Sequence, residues 1–309
     1  MKKLNEYRIV FMGTPEIAAR VFENLINFGL NFVGLIAQED KPVGRKGILE
    51  PVATKVVAQK YNIPVFQPHR IRKEYEFLYD LKPDLILTMA YGQIVPQAVL
   101  DVPPYGCLNL HGSLLPKYRG AAPIQRAIIN GDKTTGITLM EMIDKMDAGR
   151  MYAKEEVTID NDNYSSLCLK LVDAATKVVQ DNLYDYFNHK LVGIVQDESE
   201  VTFADKILPS DEKLDINLDY EQFINFVNGL SFEPGGYVYI NDKKLKILKA
   251  HKVSSHLGEL GQLSIKKEVV LSLVDGDIVL DVVQLEGKKR MDGKSFANGN
   301  RLLDQQFVK

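Results

Sequence analysis

Short apolar runs, broken at intervals by glycine and proline, dominate the first half of the chain. Tyr7 to Met12 is the first of them, and it stops at Gly13-Thr14-Pro15. From Glu16 to Phe28 the spacing changes. Ile17, Val21, Phe22, Leu25 and Ile26 recur at helical intervals and predict a helix. Phe32 to Ala37 reads as a strand, Pro51 to Tyr61 as a helix, Ile63 to Phe66 as a short strand and Arg70 to Leu81 as a further helix. Pro83-Asp84 introduces the strongly apolar strand Leu85 to Met89, and Pro103-Pro104-Tyr105-Gly106 introduces Cys107 to Leu110. Ile137 to Met140 and Arg150 to Val157 read as strands, and Leu167 to Phe187 as a long helix. Continuous apolar strands alternating with helices predict an α/β domain whose sheet is largely parallel and buried on both faces.

The pattern changes after His189. Residues 190–210 mix charge, proline and polar residues as a linker does. Beyond them a helix near Tyr220 to Leu230 precedes short strands at Tyr237 to Ile240, Leu245 to His251, Val269 to Leu273 and Asp277 to Gln284. Pro234-Gly235-Gly236, Asn241-Asp242 and Asp275-Gly276 supply the turns. The expected organisation is a first domain over 1–189, a linker over 190–210 and a small β-barrel of the OB type over 211–309.

Composition narrows the class. With 309 residues, 45% hydrophobic and 26% charged, each domain is large enough to bury a core. Two cysteines and no CxxC pair argue against a disulfide scaffold or a thiolate zinc site, and fit a reducing compartment. Asn5, Glu6 and Arg8 interrupt the basic start before any apolar run, so no signal peptide is expected and the cytoplasm is the expected location. A net charge of −3 gives no global attraction to nucleic acid, so any RNA partner has to be held by local patches.

Ligands of open α/β sheets bind beyond the carboxyl ends of the strands. The strand from Cys107 ends at His111-Gly112-Ser113, which puts Asn109 and His111 on one side at the mouth of the sheet. Both side chains can donate to a developing oxyanion. Taken alone, a histidine at a strand end is more often structural. Its surroundings change that balance: Ser113-Leu114-Leu115-Pro116-Lys117-Tyr118-Arg119-Gly120-Ala121-Ala122-Pro123, then Gly136-Ile137-Thr138, then Met146-Asp147-Ala148-Gly149.

The ordered pattern NxHxSLLPxYRGxAP…GxT…MDxG resembles the folate-dependent formyltransferase family. The resemblance is strongest over residues 8–157 and looser over 205–309. It implies a Rossmann-like formyltransferase domain, 10-formyltetrahydrofolate as co-substrate, and acyl transfer to an amine that has to be unprotonated; free α-amino groups titrate near about 8. By resemblance, Asn109 and His111 stabilise the oxyanion. Asp147 orients His111 and helps move the proton from the attacking amine to the leaving folate nitrogen. No metal is implied. The resemblance places Ser113, Leu114, Leu115 and Pro116 against the folate, and Met89, Ala90, Tyr91 and Ile143 read as lining its pterin pocket.

Family members act on several amines, and three features point to methionyl-initiator-tRNA. The opening Arg8 to Glu16 lacks GxGxxG and looks like that of the tRNA-acting branch. The segment Gln38 to Leu49 reads as a loop matching one that enters the tRNA acceptor end, with Arg45 at the arginine that reads the unpaired first position and Lys46 beside it. Its charges are balanced by Glu39, Asp40 and Glu50, so it is less basic than that role suggests. The C-terminal stretches around Lys246, Lys249, Lys288, Lys289 and Arg290 resemble the domain that grips tRNA, and such patches neutralise phosphates in a salt-dependent way. Ile17 is a candidate contact for the methionyl side chain. A monomer is expected.

Other readings stay open at this stage. A sugar-nucleotide N-formyltransferase would need no basic C-terminal segments. A non-catalytic tRNA binder would bind to saturation without turnover, and has no use for Asn109, His111 and Asp147 together. A hydrolase would release formate from the folate, with water in place of the amine.

Overall fold

The structure, a computed structural model, describes residues 2–43, 47–253 and 258–309. In chain order it holds β1 (Ile9–Gly13), α1 (Glu16–Phe28), β2 (Phe32–Ile36), β3 (Lys41–Val43), β4 (Ile48–Glu50), α2 (Ala53–Lys60), β5 (Val65–Phe66), α3 (Phe77–Leu81), β6 (Leu85–Met89) and α4 (Gln97–Leu100). Then come β7 (Cys107–His111), α5 (Pro123–Ile129), β8 (Thr134–Glu141), β9 (Met151–Thr158) and α6 (Tyr164–Phe187). The remainder is α7 (Tyr220–Gly229), β10 (Gly236–Ile240), β11 (Lys243–Val253), β12 (Leu263–Ile265), β13 (Val269–Ser272), β14 (Asp277–Leu285), β15 (Met291–Asp292) and α8 (Gly293–Gly299). The chain forms two compact units. One comprises residues 1–120, 135–158 and 168–203; the other comprises 121–134, 159–167 and 204–309.

The first unit is built on a seven-stranded sheet in the order β5-β2-β1-β6-β7-β8-β9. Pairings from β5 through β7 are parallel, and β8 runs antiparallel to β7. This is the Rossmann-like sheet that the apolar runs predict. The five residues of β1 and the five of β6 are all buried, because both faces are covered. On one face Phe11 stacks on Phe22 of α1 at 4.7 Å, and Phe22 meets Phe32 edge-on. On the other, Val10, Met12, Ile86 and Cys107 join Ile71, Leu78, Tyr91 and Val99 in one core. From β1 the chain builds outward through β2 and β5, then returns to place β6 on the other side of β1. The crevice beyond the carboxyl ends of β1 and β6 is therefore a topological switch point, where such sheets bind ligands.

Two expectations need correction. Of the helix predicted over 70–81, only Phe77–Leu81 forms. The Tyr75 amide, which a helix over this stretch would give to the Ile71 carbonyl, donates to the Glu76 carboxylate at 3.1 Å, so a side chain takes a backbone donor that the helix needs. The segment predicted as a loop from Gln38 contains a small hairpin, with Lys41 paired to Glu50 and Pro42 to Leu49. Its second strand is solvent-exposed, including Ile48 and Leu49. Arg45 and Lys46 lie outside the described residues.

The second unit contains the barrel-type sheet, antiparallel and curled, in the order β10-β11-β14-β13-β12 with β15 on β14. Alternate residues of β11 and β14 turn inward; Leu245, Ile247, Ile278, Leu280 and Val283 pack with Phe223 and Val227 of α7 and Phe296 of α8. The sequence reading missed β12, β15 and α8, which are short and weakly patterned. Residues 305–309 fill the gap between the two ends of this sheet. Leu263 donates to the Gln306 carbonyl at 2.8 Å, Tyr239 donates to the Lys309 carbonyl at 2.8 Å, and Val308 is buried in the core. Among the described residues no helix is long and apolar enough to cross a membrane.

Candidate active site

β7 carries Asn109 and His111 to the carboxyl end of the sheet. Asn109 is in register with Thr88 of β6 and Met140 of β8, and His111 with Thr138 of β8. His111 is buried and Asn109 half-buried. Cys107, two residues earlier on the same face, offers no nucleophile. Burial, then the nearby Asp101, pushes its thiol pKa far up, and Sγ contacts the Leu100 carbonyl at 3.8 Å.

The sequence brings a carboxylate to this imidazole from 36 residues further on. Asp147 Oδ1 lies 3.7 Å from His111 Nδ1. That is longer than a hydrogen bond, but close enough for charge to act through a partly buried setting. The other ring nitrogen, Nε2, donates to the Tyr118 carbonyl at 2.9 Å. Both ring nitrogens thus face acceptors. Asp147 is held in three ways. Its Oδ2 accepts from the Gly120 amide at 2.8 Å, its carbonyl accepts from Gln196 Nε2 at 2.8 Å, and its backbone is left-handed, with φ 49°. Ala90 (φ 50°) and Tyr118 (φ 62°) are also left-handed, so three strained non-glycine residues surround the site.

Gly149 fixes the far side of the Asp147 turn. A Cβ there would stand 2.0 Å from the Glu141 carbonyl oxygen, which belongs to β8 and cannot yield as a side-chain tip can. Gly149→Ala is expected to cost about 1–3 kcal/mol through overpacking, read as a lower thermal midpoint.

A buried arginine supports this turn from beneath. Arg119 is 1% exposed, and its Nε donates to Gln196 Oε1 at 3.0 Å. Gln196 then donates to the carbonyls of Asp147 and Gly149. The Arg119 guanidinium also meets Glu198 at 2.9 Å; together with Lys145 it holds the Glu198 carboxyl below the ordinary carboxylate range. Thr138, wholly buried, donates to the Ser113 carbonyl at 2.7 Å and accepts from the Leu115 amide at 3.1 Å. The sequence reading assigned no role to Arg119, Thr138 or Gln196. Arg119 and Thr138 at least lie inside the motif, whereas Gln196 sits in the segment read as linker and carries no local signal.

The predicted folate residues fall at the ends of three neighbouring strands, β6, β7 and β8. Ser113 is buried and donates to the Lys117 carbonyl at 2.6 Å; Leu114 is half-buried; Leu115 packs on Met140 and Met151; Pro116 is buried. Met89 is buried at the end of β6, Ala90 and Gly92 are exposed, and Tyr91 is buried with its hydroxyl unpartnered, its pKa raised first by burial and then by Glu74. Ile143 is exposed. Thr14, half-buried after β1, donates to the Tyr91 carbonyl at 3.1 Å and accepts from the Gln38 amide at 3.2 Å, tying the ends of β1, β2 and β6 together. Ile17 is buried in the first turn of α1.

In the second unit Lys249, Lys288, Lys289 and Arg290 are exposed. Arg290 lies over the Phe232 ring at 5.0 Å. Lys246 is half-buried and its ammonium donates to the Pro234 carbonyl, which leaves two of its three donors.

A strand-end amide beside an imidazole backed by a carboxylate can stabilise an oxyanion and move a proton. Comparison with known proteins bears on which reaction this is. Residues 7–181 match the family described as formyl transferase, and residues 206–301 match the formyl transferase C-terminal domain. The methionyl-tRNA formyltransferase of Malacoplasma penetrans is 41% identical over 298 residues, covering 95% of this chain and 93% of that protein. The methionyl-tRNA formyltransferase of Bacillus subtilis is 40% identical over 299 residues, covering 94% of each. Among solved structures, HypX from Aquifex aeolicus in complex with tetrahydrofolic acid superimposes with a TM-score of 0.70 at 16% identity, covering 94% of this chain; this chain spans 46% of that one. The sugar 3N-formyltransferase WlaRD superimposes with a TM-score of 0.66 at 16% identity, covering 93% of this chain and 100% of that one. At such identities the solved structures speak for the fold.

Proposed function

The chain belongs to the formyl transferase family, and from that premise we infer that it transfers the formyl group of 10-formyltetrahydrofolate to the free amino group of methionyl-initiator-tRNA, giving N-formylmethionyl-tRNA for translation initiation. The observation that carries this reading is the likeness, over nearly the whole chain, to methionyl-tRNA formyltransferases of two distinct bacteria. The site geometry supplies the machinery. The unprotonated amine attacks the formyl carbon, and the formyl oxygen takes up the negative charge. Asn109 Nδ2–H and the His111 ring donate to that oxygen. For His111 this competes with the Tyr118 carbonyl, which already receives Nε2–H. As the carbon–nitrogen bond to the folate breaks, the proton given up by the amine ends on the leaving folate nitrogen. Asp147 stands behind the imidazole and favours the ring while it carries positive charge.

The folate is assigned to the three strand-end loops after β6, β7 and β8. Exposed Ala90, Gly92 and Ile143 and half-buried Leu114 offer the mixture of backbone polar groups and apolar surface that a pterin ring requires. Ser113, Leu115 and Pro116 shape this wall, and Met89 and Tyr91 back it. Lys249, Lys288, Lys289 and Arg290 are the proposed phosphate contacts, with Lys246 joining through its remaining donors. Arg45 and Lys46 are assigned to the acceptor end on resemblance alone. The reading includes a cytoplasmic monomer with a catalytic domain over 1–189, a linker over 190–210 and a tRNA-binding domain over 211–309.

The test is to mix the purified protein with 10-formyltetrahydrofolate and methionyl-initiator-tRNA and to quantify formylmethionyl-tRNA. Catalytic turnover is expected. Formylation of a nucleotide amino sugar with none on the tRNA would move the chain to the sugar-acting branch. Saturable tRNA binding with no turnover would make it a binder.

A further inference from the structure

Four strands contribute one transverse row of side chains at the mouth of the sheet. Met12 of β1 is in register with Thr88 of β6, Thr88 with Asn109 of β7, and Asn109 with Met140 of β8. Ile86 and Cys107, two residues earlier and in register with each other, lie in the same core, so Thr88 and Asn109 share that face. Neighbouring strands run about 4.8 Å apart, which puts the hydroxyl and the amide side by side.

Thr88 is 4% exposed, and its Oγ1 is buried without a hydrogen-bond partner. Among the described residues the Asn109 side chain has no partner either. The outer members of the row are thioethers, which are poor acceptors. Along the row, then, the one strong partner for the Thr88 hydroxyl is the Asn109 amide. A buried hydroxyl without a partner is destabilising, and a valine of the same shape would avoid that penalty. Such a group stays tolerable where a partner forms during function. Asn109 has the complementary need. Its carbonyl and amino ends are nearly the same shape, and turned over it would present an acceptor to the oxyanion.

We propose that Thr88 is the positioning residue for Asn109: its hydroxyl donates to Asn109 Oδ1 as the reaction site forms, which leaves both Nδ2 protons for the oxyanion. This rests on the proposed role of Asn109 in formyl transfer. No covalent step is involved.

The test is a double-mutant cycle on the full-length protein, using Thr88→Val, Thr88→Ser, Asn109→Ala and the Val/Ala pair. The readouts are kcat and KM for 10-formyltetrahydrofolate with methionyl-initiator-tRNA, and the thermal midpoint. Thr88→Val is expected to lower kcat about five- to tenfold with KM nearly unchanged and the midpoint equal or raised. Thr88→Ser, which keeps the hydroxyl, should recover most of the rate. In the Asn109→Ala background Thr88→Val should have no further effect on kcat. Wild-type kcat in Thr88→Val overturns the proposal alone, as does a loss that persists undiminished in the Asn109→Ala background. Undiminished kcat in Asn109→Ala overturns it together with the reading on which it rests.

Discussion

His111→Ala is expected to lower kcat for formyl transfer about 10²–10³-fold, the scale for removing one preorganised oxyanion donor, with tRNA affinity nearly unchanged. The imidazole is buried at the end of β7, and the substitution leaves the proposed phosphate contacts Lys249, Lys288, Lys289 and Arg290 unchanged in sequence. The loss should therefore appear in kcat and leave the dissociation constant of the RNA, measured in a binding assay, where it was. Asp147→Asn is a sharper companion. Asparagine tolerates the left-handed backbone at this position, and its amide can still accept from the Gly120 amide. The charge 3.7 Å from Nδ1 is what disappears. If kcat in Asp147→Asn stays at the wild-type level, the carboxylate does not act through the ring, and Asp147 is a turn residue only.

Arg119→Met should be the largest stability change among single substitutions near the site, about 2–4 kcal/mol. Methionine fills much of the volume of the arginine stem, so little of this comes from a cavity. What is lost is the donor to Gln196 Oε1 at 3.0 Å; Gln196 is itself buried, so its oxygen is left unsatisfied. Glu198 contributes little, since it is largely exposed and exposed ion pairs are weak. Glu198→Gln therefore serves as the control, expected to shift the urea midpoint by a small fraction of the Arg119→Met shift. Loosening Gln196 frees the carbonyls of Asp147 and Gly149, so kcat should fall as well, even at temperatures where the variant is folded. Equal midpoints for Arg119→Met and Glu198→Gln would show that the buried guanidinium does not anchor this segment.

Much of this was readable from periodicity because the sheet is buried on both faces. Val10, Met12, Ile86 and Cys107 stand in continuous apolar runs, and such runs have few alternative fates. The stretch from Arg70 to Tyr75 departs from its helical spacing because the Glu76 side chain captures the Tyr75 amide, which spacing does not encode. The same contrast holds at the site. Asn109 and His111 follow from the end of one strand, and Asp147 from the resemblance to a family pattern. Gln196 reaches the carbonyl of Asp147 across 49 residues of chain, and that of Gly149 beside it. Any residue can supply a carbonyl, so the acceptors of such a bridge leave no trace in the composition of either segment.

The seam made by residues 305–309 gives the second unit a property of its own. Tyr239 on β10 and Leu263 on β12 belong to strands at opposite ends of the sheet, yet both amides are protected by carbonyls from this one segment. Their hydrogen exchange should therefore rise together when the segment peels away, at a free-energy cost below that of unfolding the core. Peeling also bares two strand edges at once, and each is a template for another chain. Crowded, warm solutions of this protein should accordingly begin to associate through this sheet while Phe223, Phe296 and the rest of its core are still packed.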